Sequence, residues 1–169
     1  MPALCLPAFL AALLPLAACG AAEKPAEPPP LVLYAPGSRG LLPTATARLP
    51  GLDDAARVLL SYYAALYNTG CAEGSCGLGV ALGIDDQCGT RHIRRIQRLM
   101  PDFDPARCVY LPDQASAYTR IEAMTLKKTE PDAYEVTIGS RWKDGGEGGV
   151  DPLLVERWRL DEGRLVRAG

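Results

Sequence analysis

His92 is the only histidine of the chain and lies in the stretch "GTRHIRRIQRLM". An imidazole exchanges protons near neutral pH, which makes it the first residue to weigh as a general base. Arg91, Arg94 and Arg95 surround it in sequence and would depress its pKa, and no neighbour marks an oxyanion partner. We therefore expect His92 at an exposed helix position, with no catalytic role. Together with Arg98, those three arginines recur at helical spacing and form one basic side. Such a side could hold an anionic group, for instance a phospholipid headgroup, a lipopolysaccharide phosphate or an acidic glycan. It could equally be a solvated face paired with Asp85, Asp86, Asp102 or Asp104.

Three further patterns have chemistry to consider. "GLGVALG" places Gly77, Gly79 and Gly83 near a dinucleotide fingerprint, but the final spacing is wrong and a helix precedes it, so it reads as a loop. Asp102 and Asp104 in "PDFDP" could pair as acid and base, yet Pro101 and Pro105 on either side predict a turn. Trp142 and Trp158 read as a cross-strand aromatic pair in the core.

The elements that must position these residues begin beyond an unusual amino terminus. No side-chain charge precedes Glu23, and "MPALCLPAFLAALLPLAAC" is apolar, with prolines at 2, 7 and 15. It falls just short of the ~20 apolar residues that span a bilayer, and its prolines would weaken a permanent spanning helix. A run of this length, ending in small residues, fits an exported leader that is later removed. "AAEKPAEPPP" follows with the composition of an extended polyproline tether.

Leu16-Ala17-Ala18-Cys19 resembles the lipobox of bacterial lipoprotein signal peptides: an aliphatic residue, two small residues, then an obligatory cysteine. The likeness departs from that pattern in having no Lys or Arg before the apolar run. It implies a signal peptide over 1–18, diacylglycerol on the Cys19 thiol, and a lipidated, proline-rich tether over 19–50. Two or three acyl chains anchor stably where one gives only marginal binding. Gly20 after the cysteine implies an outer-membrane destination facing the periplasm.

Of six cysteines, Cys5 would leave with the leader and Cys19 would hold lipid. The remaining four, Cys71, Cys76, Cys88 and Cys108, suggest two disulfides in an oxidising compartment. Three pairings satisfy the count. We lean to Cys71–Cys76 across "CAEGSCGLG" and Cys88–Cys108 around the His92 helix. Zinc held by these thiolates and His92 is the rival, but the spacing lacks the paired short gaps of zinc modules, so no metal or other cofactor is expected.

From position 51 to 169 the pattern is that of one domain. "LDDAARVLLSYYAALYNTG" is a helix capped by Asp53, stapled by Leu52 and closed by Gly70, with Leu59, Tyr62, Tyr63 and Leu66 among its buried face. A second helix covers "GTRHIRRIQRLM", with Thr90 as its cap and Pro101 beyond its end. "SAYTRIEAMTLKK", "AYEVTIGSRW", "PLLVERWRL" and "RLVR" read as strands, the last two joined by a turn at Gly163. "DGGEGG" reads as a long, mobile loop, and Leu31 to Tyr34 as a short apolar run docked on the domain. Helices first and an antiparallel meander afterwards make an α+β domain, its helices packed on the sheet.

This order resembles the nuclear transport factor 2-like superfamily, through "DDAARVLLSYYAALYNTG" at the front and "YEVTIGSRW" and "LLVERWRLDEGRLVR" at the end. The resemblance implies a curved, cone-like sheet wrapped around helices, with a pocket that some members use for catalysis through an Asp or His base. A net charge of −2 gives no reason to expect nucleic acid as a partner. The expected function is non-enzymatic binding or assembly at a membrane, with the bilayer and an envelope protein or anionic ligand as partners. A small lyase, isomerase or hydrolase using the cone's pocket is the alternative, and a structural accessory subunit of an envelope complex is the third reading.

Overall fold

A computed structural model describes residues 28–38, 40–67, 77–109 and 118–169. Cys5, Cys19, Gly70, Cys71 and Cys76 lie outside the described residues. The architecture is α+β: among the described residues, a six-stranded antiparallel sheet and four α-helices. The strands are β1 (Leu31–Tyr34), β2 (Tyr118–Glu130), β3 (Ala133–Asp144), β4 (Glu147–Val150), β5 (Leu154–Asp161) and β6 (Arg164–Ala168). They run in the order β1-β2-β3-β5-β6, and β4 continues the same edge of β3 beyond β5. The helices are α1 (Pro43–Arg48), α2 (Asp54–Leu66), α3 (Leu78–Ala81) and α4 (Thr90–Gln97).

Residues 31–50 do not behave as tether. Leu31 and Leu33 alternate with exposed Val32, and the resulting β1 pairs with β2, Leu31 opposite Leu126. Pro43 opens α1 at a position where a missing N–H costs nothing, and Ala45 and Leu49 are buried beneath it. Arg48 then donates from both terminal nitrogens to the carbonyls of Pro29 (3.0 Å) and Pro30 (3.1 Å), which fixes where the chain enters the domain.

Helix α2 is the central packing element. Asp53 caps it, accepting from the Ala56 N–H at 2.9 Å as its sequence position predicts. Ten of its residues, Ala55 and Ala56 together with Val58 through Ala65, are buried, so the helix is enclosed nearly all round rather than along one stripe. The same Asp53 receives Tyr134 (2.9 Å) and Lys128 (2.7 Å), tying the helix start to β3 and β2. Burial alone would raise the Asp53 pKa, but the bonds from Lys128, Ala56 and Tyr134 outweigh it and hold the carboxyl below its ordinary value.

The glycine-rich "DGGEGG" is a tight hairpin instead of a long loop. Gly145 (φ +61°) and Gly146 (φ +146°) make the reversal, and β4 pairs back along β3. The chain then crosses at 151–153 and resumes as β5. A side chain at Gly139 would meet Leu153 Cδ2 at 3.0 Å, so the small residue in β3 admits that crossing. Trp142 and Trp158 do not pair. Trp142 packs over Gly149 at the β3–β4 end and stays 37% exposed, whereas Trp158 sits opposite Tyr134 and makes edge-to-face contact with Tyr62.

Candidate functional site

The four arginines of α4 separate once the helix is packed. The helix turns Ile93 and Ile96 inward, which leaves Arg91 and Arg94 exposed on the outside. Arg95 and Arg98 reach instead toward α2 and the corner that follows α1. There they meet Arg57, the only basic residue of α2 and one that the sequence reading overlooked. Arg57 lies one turn beyond the capping Asp53, and its guanidinium folds back on the carbonyls of Leu52 (3.2 Å) and Pro50 (2.5 Å). Arg95 donates to Leu82 O at 3.2 Å, and Arg98 pairs with Asp54 at 2.5 Å, not with the aspartates near it in sequence.

The three guanidiniums border one groove of about 470 Å³. Its apolar walls come from Leu49, Val58, Ala81 and Leu82, and among the described residues Asp54 supplies the one carboxylate. Main-chain carbonyls orient Arg57 and Arg95 without neutralising them. A groove with three fixed cations, one anion and an apolar floor can hold an anionic group attached to a nonpolar body.

His92 corrects the expectation of an exposed position, since it is only 4% exposed. Helix α4 begins at its N-cap Gly89, and Thr90 makes no capping bond, so the sequence-based cap is one residue off. This start aims His92 inward at α2. Its Nδ1 faces Gln87 O at 2.6 Å and its Nε2 faces Ser61 O at 3.0 Å. A neutral ring has one N–H, so it donates to one carbonyl and turns a lone pair on the other. Burial pushes its pKa down, with the two carbonyls pulling the other way and Arg95 adding to the depression. The ring borders a second hollow of about 260 Å³, alongside Asp85, Asp86, Arg91 and Arg95. Both ring nitrogens lie within hydrogen-bond distance of main-chain carbonyls.

A third polar cluster lies between α2 and the sheet, and nothing local in sequence announces it. Tyr63 donates to Glu156 Oε2 and accepts from Trp158 Nε1 at 2.8 Å. Arg167 closes the cluster with an ion pair to Glu156 Oε1 at 2.8 Å and a bond to the Tyr62 hydroxyl at 3.1 Å. Register brings these residues together: Trp158 lies opposite Arg167 on β6, and Glu156 opposite Val136 on β3. Burial, reinforced by Glu156, drives the Tyr63 pKa far above that of an ordinary phenol. Both carboxylate oxygens of Glu156 are thus engaged, and the cluster reads as internal cross-linking.

No protein family, curated protein or solved structure matches the chain.

Cys88 and Cys108 form a disulfide with Cα atoms 5.7 Å apart, which removes both thiolates from any metal-ligand set. "GLGVALG" is partly helical where a loop was expected: α3 spans Leu78–Ala81, with Gly83 at φ +67° after its end. Asp104 caps a short 3-10 turn at 105–107, accepting from Ala106 N at 2.9 Å, as the flanking prolines suggested.

Proposed function

We propose that this chain is a lipoprotein of the bacterial envelope, anchored through an acylated Cys19 and a proline-rich tether. On this reading its α+β domain binds or assembles at the membrane surface and is not an enzyme. The outer membrane, facing the periplasm, is the proposed address. The observation that carries the binding role is the convergence of Arg57, Arg95 and Arg98 on one groove beside Leu49 and Pro50. That corner directly follows Arg48, which pins the incoming chain at Pro29 and Pro30. The disulfide between Cys88 and Cys108 fits an oxidising compartment outside the cytoplasm.

The alternative is a small lyase, isomerase or hydrolase built on the cone-like fold of the nuclear transport factor 2-like superfamily. A long helix laid across an antiparallel sheet is the arrangement that likeness needs, and Tyr63, Glu156 and Arg167 are its best-placed polar residues. Those groups are already bonded to one another, and His92 is bonded to main chain, which favours the binding role. An accessory subunit of an envelope complex would share the anchor and differ only in using the domain to hold a protein.

Intact mass of the protein extracted from its native membrane tests the anchor. The expected species lacks residues 1–18, gains two or three acyl groups and has two oxidised cysteine pairs. A full-length, unacylated chain recovered from the cytosol would overturn the proposal.

A further inference from the structure

We infer that the groove bordered by Arg57, Arg95 and Arg98 seats the phosphate of an anionic phospholipid in the membrane that holds the tether. The domain would then lie against that membrane instead of swinging free. The membrane itself comes from the anchored reading above; the groove's preference for a phosphate with an apolar attachment comes from its own residues.

Charge is the first argument. Among the described residues three guanidiniums face the groove against one carboxylate, and that carboxylate is already paired with Arg98. Arg57 and Arg95 are held by main-chain carbonyls, so their remaining N–H donors have fixed directions, which is the condition for forked phosphate contacts. The walls are the second argument. Ala81 and Leu82, both partly exposed, give a nonpolar surface next to the cations. A free, fully hydrated phosphate gains nothing from such a surface, whereas the glycerol and first methylenes of a lipid do.

Geometry supplies the third. Arg48 fixes Pro29 and Pro30 against the end of α1, and Thr46, Leu49 and Pro50 on either side of it line the groove. From Cys19 to Pro28 the chain reaches at most about 32 Å, at ~3.3 to 3.6 Å per residue fully extended. An acylated Cys19 therefore keeps this corner close to its bilayer, and exposed Arg91 and Arg94 on α4 add to the attraction of anionic lipid.

The test uses the native, full acylated protein with vesicles of phosphatidylcholine alone or mixed with phosphatidylglycerol. Flotation with neutral vesicles reports the anchor. Amide hydrogen exchange over residues 46–58 reports the groove. The expected result is flotation with both, and added protection of this segment only in the anionic vesicles, erased by high salt. Affinity for the anionic vesicles should fall about fivefold for each of Arg57→Gln, Arg95→Gln and Arg98→Gln, and recover only in part with lysine, which restores the charge without the fork. The salt arm needs no variant, so a substitution that fails to fold leaves the test intact.

Flotation without salt-sensitive protection would overturn the inference and leave the anchor standing. Failure to float with neutral vesicles, together with arginine-dependent binding to anionic ones, would remove the anchor and leave the groove. Equal protection by inorganic phosphate or by a soluble acidic glycan would overturn the lipid as occupant.

Discussion

At the scale of single residues, His92 shows how burial reverses a reading made from neighbours. Its flanking arginines suggest a solvated helix face, but the ring is enclosed between Gln87 O and Ser61 O. The neighbouring Ser61 hydroxyl, fully buried, has no partner among the described residues, so this seam between α2 and α4 is already imperfectly satisfied. Protonating His92 would supply a hydrogen to the second carbonyl, but it would also place a cation in a buried site. Asp86 from the preceding loop and Arg95 from its own helix are the charged groups that act on the ring. Burial dominates, so the folded pKa lies below the ordinary 6.5. The unfolded chain then binds more protons, and stability is fully present above that value and is lost as pH falls below it. The thermal midpoint should drop between about pH 7.5 and about pH 5, and His92→Gln should flatten the His92 share of that slope. A wild-type midpoint that rises on acidification through this window would contradict the assignment.

At the scale of elements, α4 is a two-turn helix with buried residues only at His92, Ile93 and Ile96, too few for it to be stable alone. The Cys88–Cys108 disulfide encloses it, with the two cysteines 20 residues apart in sequence. Closing a loop of that size stabilises by about 3 kcal/mol in the chain-entropy model. Replacing both cysteines by serine should reduce unfolding free energy in urea by about that amount and raise amide exchange throughout α4. Unchanged exchange in α4 would show that its packing on α2 suffices. This helix, the capped α2 and the strands β2, β3, β5 and β6 were all readable from period and punctuation. The 90–97 boundaries were less so, because Gly89 rather than Thr90 takes the cap. The β3–β4 hairpin was missed because a glycine-rich run looks like an open loop until a partner strand pairs with it. At the β5–β6 turn the residue type itself suggests the positive φ of Gly163 (+76°), whereas Glu162 (φ +47°) adopts a left-handed conformation that its residue type does not suggest.

At the scale of the whole molecule, the packed fold takes in β1 and α1 and does not begin at residue 51. Leu33 is 0% exposed, β1 closes the β2 edge of the sheet, and Arg48 grips the carbonyls before β1. A chain started at Leu52 should bind a hydrophobic dye and lose cooperative unfolding, whereas one started at Pro28 should unfold in a single transition. Equal cooperativity of the two would return β1 and α1 to the tether. Composition and order by themselves determined the α+β class and most element positions, because these depend on patterns within about a dozen neighbouring residues. Tertiary structure alone decided which side chains share a site. Arg57 meets Arg95 and Arg98 across two helices, and Tyr63 meets Glu156 and Arg167 across a helix and two strands. Such meetings depend on crossing geometry and strand register, which arise only when all the elements pack around one core.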